Sequence, residues 1–127
     1  MSDPKNPQSW VDKAEEDYEL VLISLRRTTP LTYGATFHAQ QFAEKYLKGL
    51  LVLRGQTPAK IHDLVLLSDQ CLQVGFLVPV DTFDLQKLST FAALARYPGE
   101  DPTIEDAQEA FRIAKAVRAF ARPLLAP

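Results

Sequence analysis

The chain has 127 residues, of which 46% are hydrophobic and 24% charged, and its formal net charge is -2. That is one domain with enough apolar side chain to bury a core; the composition excludes a disordered chain, and the mild acidity excludes broad, non-specific attraction to nucleic acid while leaving room for a local basic groove. The single cysteine, Cys71, excludes a disulfide framework or a cysteine-rich zinc site within one chain.

The opening "MSDPKNPQSW" has no apolar signal core, and no apolar run approaches the roughly 20 residues of a membrane span, so a soluble, cytoplasmic protein without membrane contact is expected. Pro4 and Pro7 mark residues 1–8 as a flexible leader. A first helix is expected with Ser9 as N-cap and acidic residues in its early turns. Val11, Ala14, Tyr18, Val21, Leu22 and Leu25 recur along it at three- and four-residue spacing, and Arg26 and Arg27 close it, where cations suit the negative helix end. After the break at Pro30, a second helix is expected over 31–54, about 35 Å long at ~1.5 Å per residue, with Gly55 as its C-terminal cap.

A third helix is expected over 62–74, stopping at Gly75; Cys71 falls in its apolar pattern and reads as a buried thiol. "FLVPV" is the best strand candidate, short and interrupted by Pro79. A fourth helix is expected over 81–95 and a fifth over 103–122, separated by "RYPGEDP". Thr103 and Asp106 have the spacing of an acidic capping box, and Asp101 with Pro102 at the first helical position is an equal rival. Residues 123–127 form a tail, leaving 9–122 as the domain. The expected architecture is all-α: an up-and-down bundle of four main helices plus one short helix, with short antiparallel connections.

The second helix contains "FHAQQFAEKYLKGLLVLRG". On an ideal helix His38, Gln41, Lys45 and Lys48 fall within an arc of about 80°, beside a broad apolar face that includes Ala35, Ala39, Phe42 and Tyr46. One reading is a boundary stripe whose lysine stems cover apolar neighbours, with Glu44 and Lys48 as an ordinary surface pair. The other is a groove, with Lys45 and Lys48 facing phosphate and His38 and Gln41 giving directional hydrogen bonds. Spacing alone leaves both open.

In "KIHDL", His62 or Asp63 can cap the third helix, or His62 can face the same groove as His38. The two histidines have no metal-ligand spacing and no completing ligands, so no metal is expected. In "ARYPGEDP", Arg96 can grip a carboxylate or phosphate bidentately, or lock the bundle by pairing with Glu100, Asp101 or Glu44. There is no glycine-rich phosphate loop and no nucleophile elbow, Cys71 has no supporting histidine, and no cofactor is expected.

Taken in order, the second-helix stretch with Gln41, Glu44, Lys45 and Lys48, then His62-Asp63-Leu64, then Arg96-Tyr97-Pro98 before a last long helix, resembles the HEPN domain family over roughly residues 9–122. The resemblance implies a helical bundle similar to the C-terminal domain of kanamycin nucleotidyltransferase. It implies a homodimer with a cleft lined by both chains. It also implies a minimal nucleotidyltransferase as protein partner, some such pairs acting as toxin and antitoxin.

Many relatives that cut RNA carry an Arg followed, after four to six residues, by a His. Here Tyr, Pro, Gly, Glu, Asp, Pro and Thr follow Arg96, with no His. The catalytic candidates that remain are Arg96 and His62, or His38 in its place, provided the fold brings a histidine near Arg96. The expected function is therefore a module binding a nucleotide or an RNA phosphate. Lys45, Lys48 and Arg96 would neutralise the phosphate, and His38, Gln41 and His62 would orient it. The alternatives are a metal-independent endoribonuclease toxin, or a structural, partner-binding bundle in which Gln41 and Arg96 are buried and bonded to each other.

Overall fold

The computed structural model describes residues 3–126, and among them there are five helices and no strand. They are α1 (Pro7–Arg26), α2 (Thr32–Leu53), α3 (Leu64–Gln73), α4 (Thr82–Leu94) and α5 (Ile104–Leu125). Helix α2 packs against all four others and is the axis of the molecule. Its content explains this: Phe42, Ala43, Tyr46, Leu47 and Leu50 are fully buried, each large one stabilising the fold by about 1.5–3 kcal/mol. Tyr18 of α1, Phe42 of α2 and Phe111 of α5 close a ring triangle with centroids 5.6, 5.8 and 6.2 Å apart, which ties the three long helices together.

Contacts fix the direction of each helix. Ser24 lies at Gly34 and Trp10 at Gly49, so α1 and α2 are antiparallel. Phe111 meets Phe42 and Leu125 meets Gly49, so α5 runs with α2. Arg96, just beyond α4, sits over Phe37 near the start of α2, so α4 runs against α2. The four main helices thus alternate up and down. The short α3 departs from the expected antiparallel connections. His62 lies at Gln40 and Glu44, Cys71 at Leu47 and Val74 at Arg54, so α3 runs parallel to α2. Residues 54–63 return along the bundle to make this possible.

Several boundaries shift for identifiable reasons. The N-cap of α1 is Asn6, not Ser9: its side chain accepts from the Gln8 amide at 3.0 Å, and Pro7 takes the first helical position, where no N–H is needed. Pro7 and Gln8 therefore belong to the helix rather than the leader. Asp63, not His62, caps α3 by accepting from the Val65 and Leu66 amides. Thr103 and Asp106 form the reciprocal capping box, which decides against Asp101 and Pro102. Helix α5 continues through Pro123, placed with the tail from sequence, because Leu125 is buried against Gly49 and holds the last turn. "FLVPV" is an irregular link whose Phe76 and Val78 are buried. Leu88 is in the core, while Leu77 and Phe83 are 71% and 67% exposed. Cys71 is buried and its thiol donates to the Leu47 carbonyl at 3.4 Å.

Candidate functional site

Three polar features beside α2 hold the residues singled out from the sequence. The first is built on Asp17 of α1. His38 Nδ1 meets Asp17 Oδ1 at 2.8 Å, and the Lys45 ammonium donates to Asp17 Oδ2. A carboxylate only accepts, so Nδ1 carries the proton and Nε2 is the ring nitrogen left for other work. Both partners keep some exposure, 27% for His38 and 24% for Lys45, while Asp17 has 9%.

The second cluster is built on Glu44, which is 5% exposed. Gln40 Nε2 donates to its Oε1 at 3.0 Å, Lys48 Nζ to its Oε2 at 3.0 Å, and His62 Nδ1 to its Oε1 at 2.9 Å. Gln40 also donates to the His62 carbonyl at 3.2 Å, and Gln41 donates to the Gln40 side-chain oxygen at 2.8 Å. Burial alone raises the Glu44 pKa, but the bonds from Gln40, His62 and Lys48 overcome it and hold the carboxyl below its usual range. The Glu44–Lys48 pair expected at the surface is thus interior, with Lys48 only 6% exposed. His62 is its exposed end, with a side chain 68% accessible.

The third feature is Arg96. It is exposed, its guanidinium lies 5.9 Å from the Phe37 ring centre, and it has no carboxylate partner among the described residues. Of the two readings of Arg96, the lock onto Glu100, Asp101 or Glu44 is not made, and Gln41 and Arg96 are not bonded to each other. Phe37 in turn packs edge-on against His38, with centroids 5.2 Å apart, and tilted against Tyr33 at 6.0 Å. Of the two histidines, His38 is linked to Arg96 through the Phe37 ring, while His62 is committed to Glu44.

The six sequence candidates do not converge on one ligand. Lys45 and Lys48 spend their charge on Asp17 and Glu44, so of the three expected phosphate cations only Arg96 is unspent. Sequence reasoning missed the partners on other helices. Asp17, the eleventh of the 20 residues of α1, reads as an ordinary mid-helix acid, yet it anchors His38 and Lys45. Glu15 accepts both Arg118 nitrogens at 2.8 Å and the Tyr46 hydroxyl, with Arg122 3.5 Å away. Arg118 also stacks 3.9 Å from the Tyr18 ring centre. The Arg118 hydrogen bonds, with that of Tyr46 and the charge of Arg122, hold Glu15 below the usual carboxylate range against the effect of burial; burial and Glu15 push the Tyr46 phenol up. The tyrosine on an apolar face was the available signal, since a buried phenol needs a partner.

Among the described residues no three of His, Cys, Asp and Glu gather closely enough to hold a metal ion, and no helix is long and apolar enough to cross a membrane. Compared with known proteins, residues 7–124 match the family model of the HEPN domain. No curated protein and no solved structure matches the chain.

Proposed function

The chain belongs to the HEPN domain family, and from that premise we propose that it is a dimeric module holding a nucleotide or RNA phosphate at the Arg96 end of α2. In this reading it works with a minimal nucleotidyltransferase as a pair of the toxin–antitoxin type. The observation that carries the reading is the unspent Arg96 guanidinium beside Phe37. A guanidinium presents a fork of donors that matches phosphate, and the neighbouring Phe37 and half-exposed Tyr33 offer rings on which a base can stack. The exposed Leu77 and Phe83 side chains supply apolar surface of the kind a dimer or partner interface covers.

The test is a polarisation titration of a short single-stranded RNA, with ATP as competitor. Wild-type protein is expected to bind without cutting, and Arg96→Ala to bind about tenfold more weakly, the worth of one charge-assisted hydrogen bond. Failure of the wild-type protein to bind either molecule would sink the reading.

A second reading, metal-independent RNA cleavage, draws on the Asp17–His38 pair. The carboxylate sets the imidazole tautomer and leaves Nε2 as a candidate general base beside the Arg96–Phe37 contact. It predicts RNA cleavage in the presence of chelator that disappears in both Arg96→Ala and His38→Gln. An intact RNA after prolonged incubation with the wild-type dimer would reject it.

A further inference from the structure

About 20 Å along α2 from Phe37, at ~1.5 Å per residue, the helix borders a cavity that the Arg96 site does not use. The cavity measures about 480 Å³ and lies between the start of α1, the end of α2 and residues 55–60 of the return segment. A smaller hollow of about 150 Å³ adjoins it, and Pro4 and Trp10 line both. Trp10 is fixed as their common wall: its indole N–H donates to the Pro4 carbonyl at 2.9 Å, and its Cβ presses on the backbone at Gly49. Val52 and Pro58 extend the apolar lining. Its volume is that of a small-molecule site.

The charge in this cavity has one sign. Lys5, Lys48 and Lys60 line it, Lys13 and Lys45 line the adjoining hollow, and no acidic residue lines either. Lys48 is neutralised by Glu44 and Lys45 by Asp17. Lys5, Lys13 and Lys60 are exposed and have no carboxylate partner among the described residues, and Lys5 and Lys60 are the two of them that line the larger cavity. Two unspent cations match a dianion, and a fixed indole with proline and valine beside it matches a flat apolar body. We propose that this cavity binds a small phosphate monoester carrying a flat ring, with the ring against Trp10 and the phosphate between Lys5 and Lys60. The site is separate from the Arg96 site and stands or falls without it.

Trp10 is the single tryptophan of the chain, so its fluorescence reports on this wall alone. The probes are phenyl phosphate and inorganic phosphate, titrated into the full chain at millimolar concentrations. Phenyl phosphate is expected to change the emission saturably. Lys60→Gln, a change at an exposed position, is expected to weaken that response about tenfold, and Lys5→Gln similarly. Arg96→Ala is expected to leave it unchanged, which separates this site from the proposed RNA site. The proposal is overturned if phenyl phosphate gives no saturable change. It is equally overturned if inorganic phosphate binds as tightly, which would mean a simple anion patch, or if both lysine variants respond as the wild type does.

Discussion

Removing the Glu44 carboxylate deprives three groups of their partner at once: the Gln40 amide, the Lys48 ammonium and the His62 ring. Lys48 would be the costly one, because it is 6% exposed and would lose the carboxylate it is paired with in the interior. Glu44→Gln is therefore expected to destabilise the fold by about 3–5 kcal/mol in a urea melt. His62→Ala should cost under about 1 kcal/mol, because that partner is mostly in water. Equal losses in the two variants would contradict this division. The pH dependence has a definite sign. A carboxylate whose folded pKa is depressed contributes stability that is complete above its ordinary value, 4.5 here, and lost as pH falls through the folded value. Stability should thus decline below pH 4.5, and decline less steeply in Glu44→Gln.

Helices α1 and α5 both press on α2 at Gly49, where an added Cβ would lie 3.2 Å from Trp10 Cβ and 3.2 Å from a Leu125 methyl. A larger residue there must push two helices outward, so Gly49→Val is expected to lose about 2 kcal/mol, read as a lowered thermal midpoint. The same variant should loosen the Trp10 wall, visible as a shifted emission maximum. An unchanged melting curve would show that the helix ends give way freely.

The helices themselves were legible in the sequence, because Gly55, Gly75 and the prolines punctuate clear three- and four-residue periodicity. What periodicity gives is an angle around one helix, not what covers that angle. His38, Gln41, Lys45 and Lys48 share an arc, yet Lys48 is buried. The return segment 54–63 and α3, which runs parallel to α2, bring His62 onto the same side as Glu44. That direction is set by a ten-residue connection without periodic pattern. Asp17 and Glu15 were hidden for a related reason. An acid in the middle of a helix suits a solvated face equally well, and only the antiparallel placement of α1 on α2 turns these two into partners for His38, Lys45 and Tyr46.

Across the whole molecule, where the net charge is only -2, the number of cations left free to meet phosphate sets how binding to RNA must respond to salt. In the proposed dimer two copies of Arg96, the one unspent cation at its site among the described residues, would neutralise two phosphates. Affinity for single strands should then fall with a log–log slope of about -1.4, from roughly 0.7 per phosphate. A slope several times steeper would require a broad basic surface and would reject the two-arginine cleft. Sedimentation of the same sample should give the mass of two chains. Replacing the exposed Leu77 and Phe83 with polar residues is expected to shift it to one.

Cys71 turns one feature of the core into a clock. Burial pushes its thiol up to about 12, so at neutral pH almost none of it is thiolate. A thiol-specific reagent can therefore label it only when α3 lifts from α2 and exposes the sulfur. With no other cysteine in the chain, the labelling rate counts those openings directly. The sequence thus carries, at a single position and without any engineered tag, a reporter of how often the parallel helix detaches.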